Sequence, residues 1–203
     1  MILDAGLMTG SAEETAKQLI EAGVRMVQYR SKGGSARETL RVSRSLAAIA
    51  AGNGASFFVN DRPDIAFITG AAGVHLGQTD LSVEDARAIM GTEKWIGVST
   101  HTEAQFREAI KSSADYVAVG PVFATKSKEN PDPVTGTEFI RRVRGLTTKP
   151  IVAIGGIGLD SAAEVIEAGA DAVAVIGDIL KAEDPAARAR QFLDRLRAVK
   201  SSR

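Results

Sequence analysis

Short apolar runs recur along the chain at near-even spacing: "VRMVQYR" from Val24, "ASFFVND" from Ala55, "GVHLG" from Gly73, "WIGVST" from Trp95, "YVAVGPV" from Tyr116, "PIVAIGG" from Pro150 and "AVAVIGD" from Ala172. Each is dense in Val, Ile, Phe or Ala with little alternation, the pattern of strands covered on both faces. Between them lie segments with helical periodicity, including "SAEETAKQLIEAG", "SARETLRVSRSLAAIAAG", "SVEDARAIMG", "TEAQFREAIKSS" and "SAAEVIEAGA". Most open on Ser or Thr and close on Gly, as helix caps do. "SVED" and "SAAE" read as capping boxes. A last helix is expected in "DPAARARQFLDRLRAV".

Strand–helix alternation of this kind predicts parallel strands joined by crossover helices. Seven strands follow the first helix, and the opening "MILD" supplies an eighth, shortened one. Eight βα units close naturally into a (β/α)8 TIM barrel, here at the compact end of the ~200–400 residue range. A doubly wound open sheet is the alternative, but it calls for a Gly-rich fingerprint after the first strand, and none stands there. "EAG(V/A)" at Glu21 and again at Glu167 marks a helix-to-strand passage and is not a functional repeat. No composition shift divides the chain, so one domain is expected over 1–203.

Composition narrows the function without choosing it. The chain is 44% hydrophobic, and its 25 Lys plus Arg balance 25 Asp plus Glu. A net charge of zero argues against non-specific nucleic-acid binding, which needs a basic face. With no cysteine there is no disulfide, no thiolate metal site and no Cys nucleophile. "MILDAGLMTGSAEE" lacks the basic and apolar regions of a signal peptide. No apolar run reaches the ~20 residues that span a bilayer. A cytoplasmic protein that does not contact membrane or nucleic acid is the expectation.

In such a barrel the chemistry sits where the strands end. Strand two ends in Gln28, Arg30 and Lys32, on one side by period-two alternation. Strand three ends in Asn60, Asp61 and Arg62, strand four in His75, Gln78 and Asp80, and strand five in Ser99 and His101. Strand six runs into "ATKSKENPDPVTG", a loop that carries Thr125, Ser127 and Lys128. Long loops in compact domains are usually functional or disordered. Strand seven ends in Gly155 and Gly156, and strand eight in Ile176, Gly177 and Asp178. Arg30, Lys32 and Lys128 form a cationic cluster beside hydroxyl donors. Backbone amides at the glycines make a second anion site, in the place where barrels often hold a phosphate. Asp61 and Asp80 between them suggest a metal-bound diphosphate, since Mg2+ takes one or two carboxylates plus phosphate oxygens.

Each residue also has a plainer reading. Asp61 and Asp80 can pair with Arg62 or Lys32, His75 can be a satisfied core histidine, His101 can serve a turn, and glycines can simply permit tight turns. The case for function is that the polar residues fall at one end of successive strands. Neither histidine sits beside an obvious Ser or acid partner in the sequence, so no nucleophile–base pair is expected.

"VQYRSK", "VNDRPD", "GVHLGQTD", "GVSTHT", "GPVFATKSK" and "IVAIGGI", in this order, resemble the thiamine phosphate synthase family, from about Asp4 to Leu180. The resemblance implies joining 4-amino-2-methyl-5-hydroxymethylpyrimidine diphosphate to thiazole phosphate, with Mg2+ and release of diphosphate. By position it implies Arg30, Lys32, Asn60 and Lys128 as diphosphate ligands and Asp61 and Asp80 as Mg2+ ligands. Gln28 and Ser99 would contact the pyrimidine. Thr125, Ser127, Gly156, Ile176 and Gly177 would hold the thiazole phosphate. The expected partners are these small molecules, with a homodimer as a possible assembly. The loop after strand six would fold over both substrates and exclude water.

The chain departs from the family's pattern in places. Ser31 stands where the family commonly has Glu, and its side chain is expected to point away from Arg30 and Lys32. Asp178 follows Gly177 where the family often has Ser-Ala, an awkward charge if it faces the phosphate. The family usually has more apolar residues before the Asp that Asp4 matches. A thiazole tautomerase of the same fold is the alternative function; it tends to have Gly-His in place of Gly120–Pro121 and lacks the acid at Asp80. A non-catalytic phosphate-binding barrel is the other, against which the paired carboxylates weigh.

Overall fold

The computed structural model describes residues 1–125 and 132–201. Eight parallel strands form one sheet in chain order: β1 (Ile2–Asp4), β2 (Met26–Arg30), β3 (Ser56–Asn60), β4 (Gly73–Leu76), β5 (Trp95–Thr100), β6 (Tyr116–Val119), β7 (Ile151–Ile154) and β8 (Ala172–Ala174). A 3.0 Å hydrogen bond from Ile2 N–H to Val175 O joins β1 to the chain just past β8 and brings the sheet round on itself. The protein is a (β/α)8 barrel, and "MILD" is its first, short strand.

The helices are α1 (Ala12–Glu21), α2 (Ala36–Gly52), α3 (Pro63–Thr69), α4 (Val83–Met90), α5 (Glu103–Lys111), α6 (Gly136–Arg144), α7 (Leu159–Glu167), the single turn α8 (Gly177–Leu180) and α9 (Pro185–Ser201). Ser11, Ser35, Ser82 and Thr102 each accept a hydrogen bond from the backbone N–H three residues on. Such caps contribute about 1 kcal/mol each. "SAAE" behaves differently from its reading as an N-terminal box. α7 begins earlier, at Leu159, with Gly158 as cap. Ser161 is its third helical residue and accepts from the Gly158 N–H at 3.1 Å. The capping residue here has no side chain, so the serine works from inside the helix.

Two apolar layers result. The outer one lies between strands and helices and includes Leu3, Leu19, Leu46, Val59, Leu76, Ile96, Phe106, Ile140, Ile151 and Ile166, all nearly inaccessible. The inner one fills the barrel itself. There Tyr116 packs edge-on against Phe58, with centroids 6.1 Å apart and planes at 81°. Gly97 makes room for it: a Cβ at this position would lie 1.9 Å from Tyr116 Cζ. Among the described residues, no helix is long and apolar enough to cross a membrane.

Candidate active site

A cavity of about 540 Å³ opens where the strands end. Gln28, Arg30, Lys32, Asn60, Asp61, Asp80, Ser99, Thr125, Gly156, Ile176 and Gly177 all line it. Ser127 and Lys128 lie outside the described residues. The volume is that of a small-molecule site.

On one side, β2, β3 and β4 bring the charged groups together. Lys32 Nζ is 2.5 Å from Asp61 Oδ2. Asp61 has φ of 64°, a left-handed conformation that non-glycine residues seldom adopt, though Asp and Asn tolerate it best. Its N–H donates to His75 O at 2.8 Å, so the turn pins the end of β3 to β4. Asp80 Oδ2 accepts from the Gly77 N–H at 2.7 Å. Burial, then a hydrogen bond and repulsion from Asp61, raise the Asp80 carboxyl above its ordinary value. Arg62 turns aside to Asp64, with Nε at 2.8 Å from Oδ1, so it is not the partner of Asp61.

This acid pair is suited to a divalent cation. Asp61 disfavours ionisation of the Asp80 carboxyl, and a cation between them would relieve that. Among the described residues no group of three or more His, Cys, Asp or Glu could hold a metal. Two carboxylates alone make a poor cage, so a bound Mg2+ would need oxygen ligands from substrate and water.

Arg30 carries a partner that strand-end reading did not single out. It pairs with the carboxylate of Asp4, whose other oxygen accepts the Gly6 N–H at 3.0 Å. Asp4 is only 6% exposed, so it aims the guanidinium from beneath. Register places Asp4 directly beside Arg30, which is the signal that could have found it. Ser31 is absent from the cavity lining, as expected.

Across the mouth, β7 ends on Gly155 and Gly156, with φ of 96° and 65°. A Cβ on Gly155 would meet Pro121 at 2.5 Å, and one on Gly156 would meet Ala124 O at 2.4 Å. The glycines therefore let the segment after β6 lie directly on β7, where Val122 N–H bonds Ile154 O at 2.9 Å and Phe123 N–H bonds Gly155 O at 3.0 Å. Asp178 lines the same cavity, but its carboxylate is paired. Its Oδ2 accepts the Leu159 N–H at 3.2 Å, and Arg188 Nη2 reaches the same oxygen at 3.1 Å. Its charge is thus offset by α9 and by the start of α7.

The histidines overturn one expectation. His75 Nε2 lies 2.8 Å from Ser99 Oγ, and its Nδ1 lies 3.0 Å from the Tyr116 hydroxyl. His101 Nε2 lies 3.3 Å from Asp132 Oδ2, and its Nδ1 lies 2.5 Å from Gly120 O. Both rings therefore have Ser or acid partners, supplied from elsewhere in the sequence. His75 pairs in register with Gly97, so Ser99 stands one step further along the same face of β5. His101 ties the end of β5 to the end of β6 and to the segment returning toward α6, which is more than a turn requires.

The fold and this mouth define a (β/α)8 barrel whose cavity carries cations and carboxylates on one rim and glycine turns on the other, the make-up of a site for small anions. The sequence matches the family described as Thiamine monophosphate synthase over residues 1–179. It is 52% identical over 178 residues to the thiamine-phosphate synthase of Koribacter versatilis (strain Ellin345), covering 88% of this chain and 83% of that one. It is 45% identical over 181 residues to the enzyme of the same name from Shouchella clausii (strain KSM-K16), covering 89% and 86%. The thiamine phosphate pyrophosphorylase structure from Pyrococcus furiosus superposes with a TM-score of 0.90 at 32% identity, covering 98% of this chain and 95% of that one. The chain belongs to the thiamine-phosphate synthase family.

Proposed function

We propose that the protein is a thiamine-phosphate synthase, a transferase of thiamine biosynthesis. It transfers the aminopyrimidinylmethyl group of 4-amino-2-methyl-5-hydroxymethylpyrimidine diphosphate to the nitrogen of 4-methyl-5-(2-phosphoethyl)thiazole, giving thiamine phosphate and diphosphate. The observation that carries this reading is the meeting, in one cavity of about 540 Å³, of Arg30, Lys32, Asp61 and Asp80 with Gly156 and Gly177. A reaction between two phosphorylated substrates needs two anion sites within one enclosure.

Arg30, Lys32, Asn60 and Lys128 bind the diphosphate and stabilise the charge it gains on leaving. A donor of that kind typically supplies ~2.7–4 kcal/mol of transition-state stabilisation. Asp61 and Asp80 would hold Mg2+, which when bound neutralises diphosphate oxygens. Gln28 and Ser99 orient the pyrimidine. Thr125, Ser127, Gly156, Ile176 and Gly177 hold the thiazole phosphate with its ring facing the pyrimidine. The aminopyrimidine itself expels the diphosphate, and the thiazole nitrogen captures the resulting cation, so the protein supplies position and charge rather than a nucleophile. The reading carries with it a cytoplasmic setting and one barrel domain over residues 1–203, with a homodimer as a possible assembly.

Incubation with both substrates and Mg2+ tests it. Thiamine phosphate and diphosphate should appear in equal amounts, and only when both substrates are present. Isomerisation of a thiazole substrate alone, with no coupled product, would point to the tautomerase instead.

A further inference from the structure

The pair His75–Ser99 has the form of a base and a nucleophile, yet the buried hydroxyl behind it argues for another role. Tyr116 lies inside the barrel at 5% exposure. Its ring stacks on His75 with centroids 5.6 Å apart and planes at 26°, while Phe58 closes it from the other side. Gly97 leaves no slack around it. Among the described residues, the hydrogen-bond partner of the Tyr116 hydroxyl is His75 Nδ1, at 3.0 Å.

A neutral imidazole has one donor and one acceptor nitrogen. Two arrangements of the chain are then open. In one, Tyr116 donates to Nδ1, the proton of the ring is on Nε2, and Nε2–H donates to Ser99 Oγ. In the other, Nδ1–H donates to the phenol oxygen, Ser99 donates to Nε2, and the phenol proton is left in an apolar interior without an acceptor. An unsatisfied buried donor is disfavoured by a factor of roughly five to 150. Burial also holds the phenol in its protonated form, since it raises its ionisation above the ordinary value.

We infer that Tyr116 and His75 are positioning residues that fix the polarity of Ser99: with its oxygen occupied by His75 Nε2–H, Ser99 presents its hydroxyl proton to the cavity. Ser99 lines that cavity and is partly exposed to it. That proton, which His75 does not take, is matched by a hydrogen-bond acceptor on the ligand, an unprotonated ring nitrogen of an aromatic heterocycle. The same arrangement removes His75 as a base, because Nε2 already carries a proton and cannot take that of Ser99. The assignment of the ring nitrogen rests on the proposed synthase function; the polarity of the relay does not.

The chain has two histidines, so 15N-histidine labelling yields two ring systems, and the His101→Gln variant identifies those of His75. Long-range proton–nitrogen spectra, recorded where the ring is neutral, separate the tautomers. The wild-type protein should show His75 protonated at Nε2 and bare at Nδ1. A proton on Nδ1 would overturn the inference without any variant being made. In Tyr116→Phe the constraint is gone. The KM for the pyrimidine diphosphate should rise about tenfold while that for the thiazole phosphate holds, and adding Ser99→Ala should bring little further change. An unchanged pyrimidine KM in Tyr116→Phe would also refute it. Absence of coupling by the wild-type protein would instead count against the synthase reading, and the spectra would still decide the relay.

Discussion

Replacing Gly97 by Ala adds one methyl group to the most crowded point of the barrel interior. Its carbon would lie 1.9 Å from Tyr116 Cζ and 2.3 and 2.4 Å from the adjoining ring carbons. The ring must retreat by more than an ångström to reach ordinary contact, and Phe58 and His75 already bound it on either side. Overpacking of this kind costs about 1–3 kcal/mol, occasionally more. For a domain of this size each kcal/mol lowers Tm by roughly 2–4 °C, so a fall of about 3–10 °C is expected in thermal unfolding. The retreat also breaks the 3.0 Å contact between the phenol and His75, so KM for the pyrimidine substrate should rise beyond what stability alone explains. A Tm within about 1 °C of wild type, with kinetics unchanged, would refute the argument, since it would mean that the ring has room to yield.

Three further outcomes follow from the same geometry. Asp80→Asn removes a carboxylate that burial and Asp61 oppose, so it should abolish coupling yet raise Tm at pH 7. Because the folded carboxyl titrates above its unfolded value, its penalty is present at high pH and relieved as pH falls, so the Tm advantage of the variant should shrink on acidification. Asp4→Asn leaves the largely buried Arg30 without its carboxylate, and should cost about 1–3 kcal/mol, with inorganic diphosphate restoring more Tm to the variant than to wild type. Ser43 Oγ is buried with no hydrogen-bond partner among the described residues, so Ser43→Ala should raise stability by up to about 1 kcal/mol in a denaturant titration.

The strands were readable because they are dense in apolar residues, β4 and β6 being buried throughout, and that density survives in the sequence without any partner being known. Even "MILD", three residues of strand, was legible once seven others were in place. The same density hides what faces the barrel axis. Nothing in "WIGVST" or "YVAVGPV" says that Gly97 and Tyr116 meet, because a strand covered on both sides loses the alternation that would mark its inner face. Cross-strand partnerships suffered likewise. Asp4 beneath Arg30 and Ser99 beside His75 are contacts between residues more than twenty positions apart, set by register rather than by local pattern. The convergence of Gln28, Arg30, Asp61 and Asp80 was legible because position at a strand end is enough to place a residue at the mouth. The role of Ser161 was not, since a glycine cap moved the helix start three residues upstream.

Asp61 and Asp80 either hold a metal whose shell the substrate completes, or serve only as structural partners of Lys32 and its neighbours. Calorimetric titration of inorganic diphosphate, with and without Mg2+, on wild type, Asp61→Asn and Asp80→Asn separates the two. Asn keeps the left-handed turn at position 61, so both variants should fold. Mg2+ should tighten diphosphate binding to the wild-type protein and leave binding to either variant unaffected. Equal diphosphate affinity in wild type with and without Mg2+, together with lowered Tm in both variants, would show that the two carboxylates are structural and hold no metal.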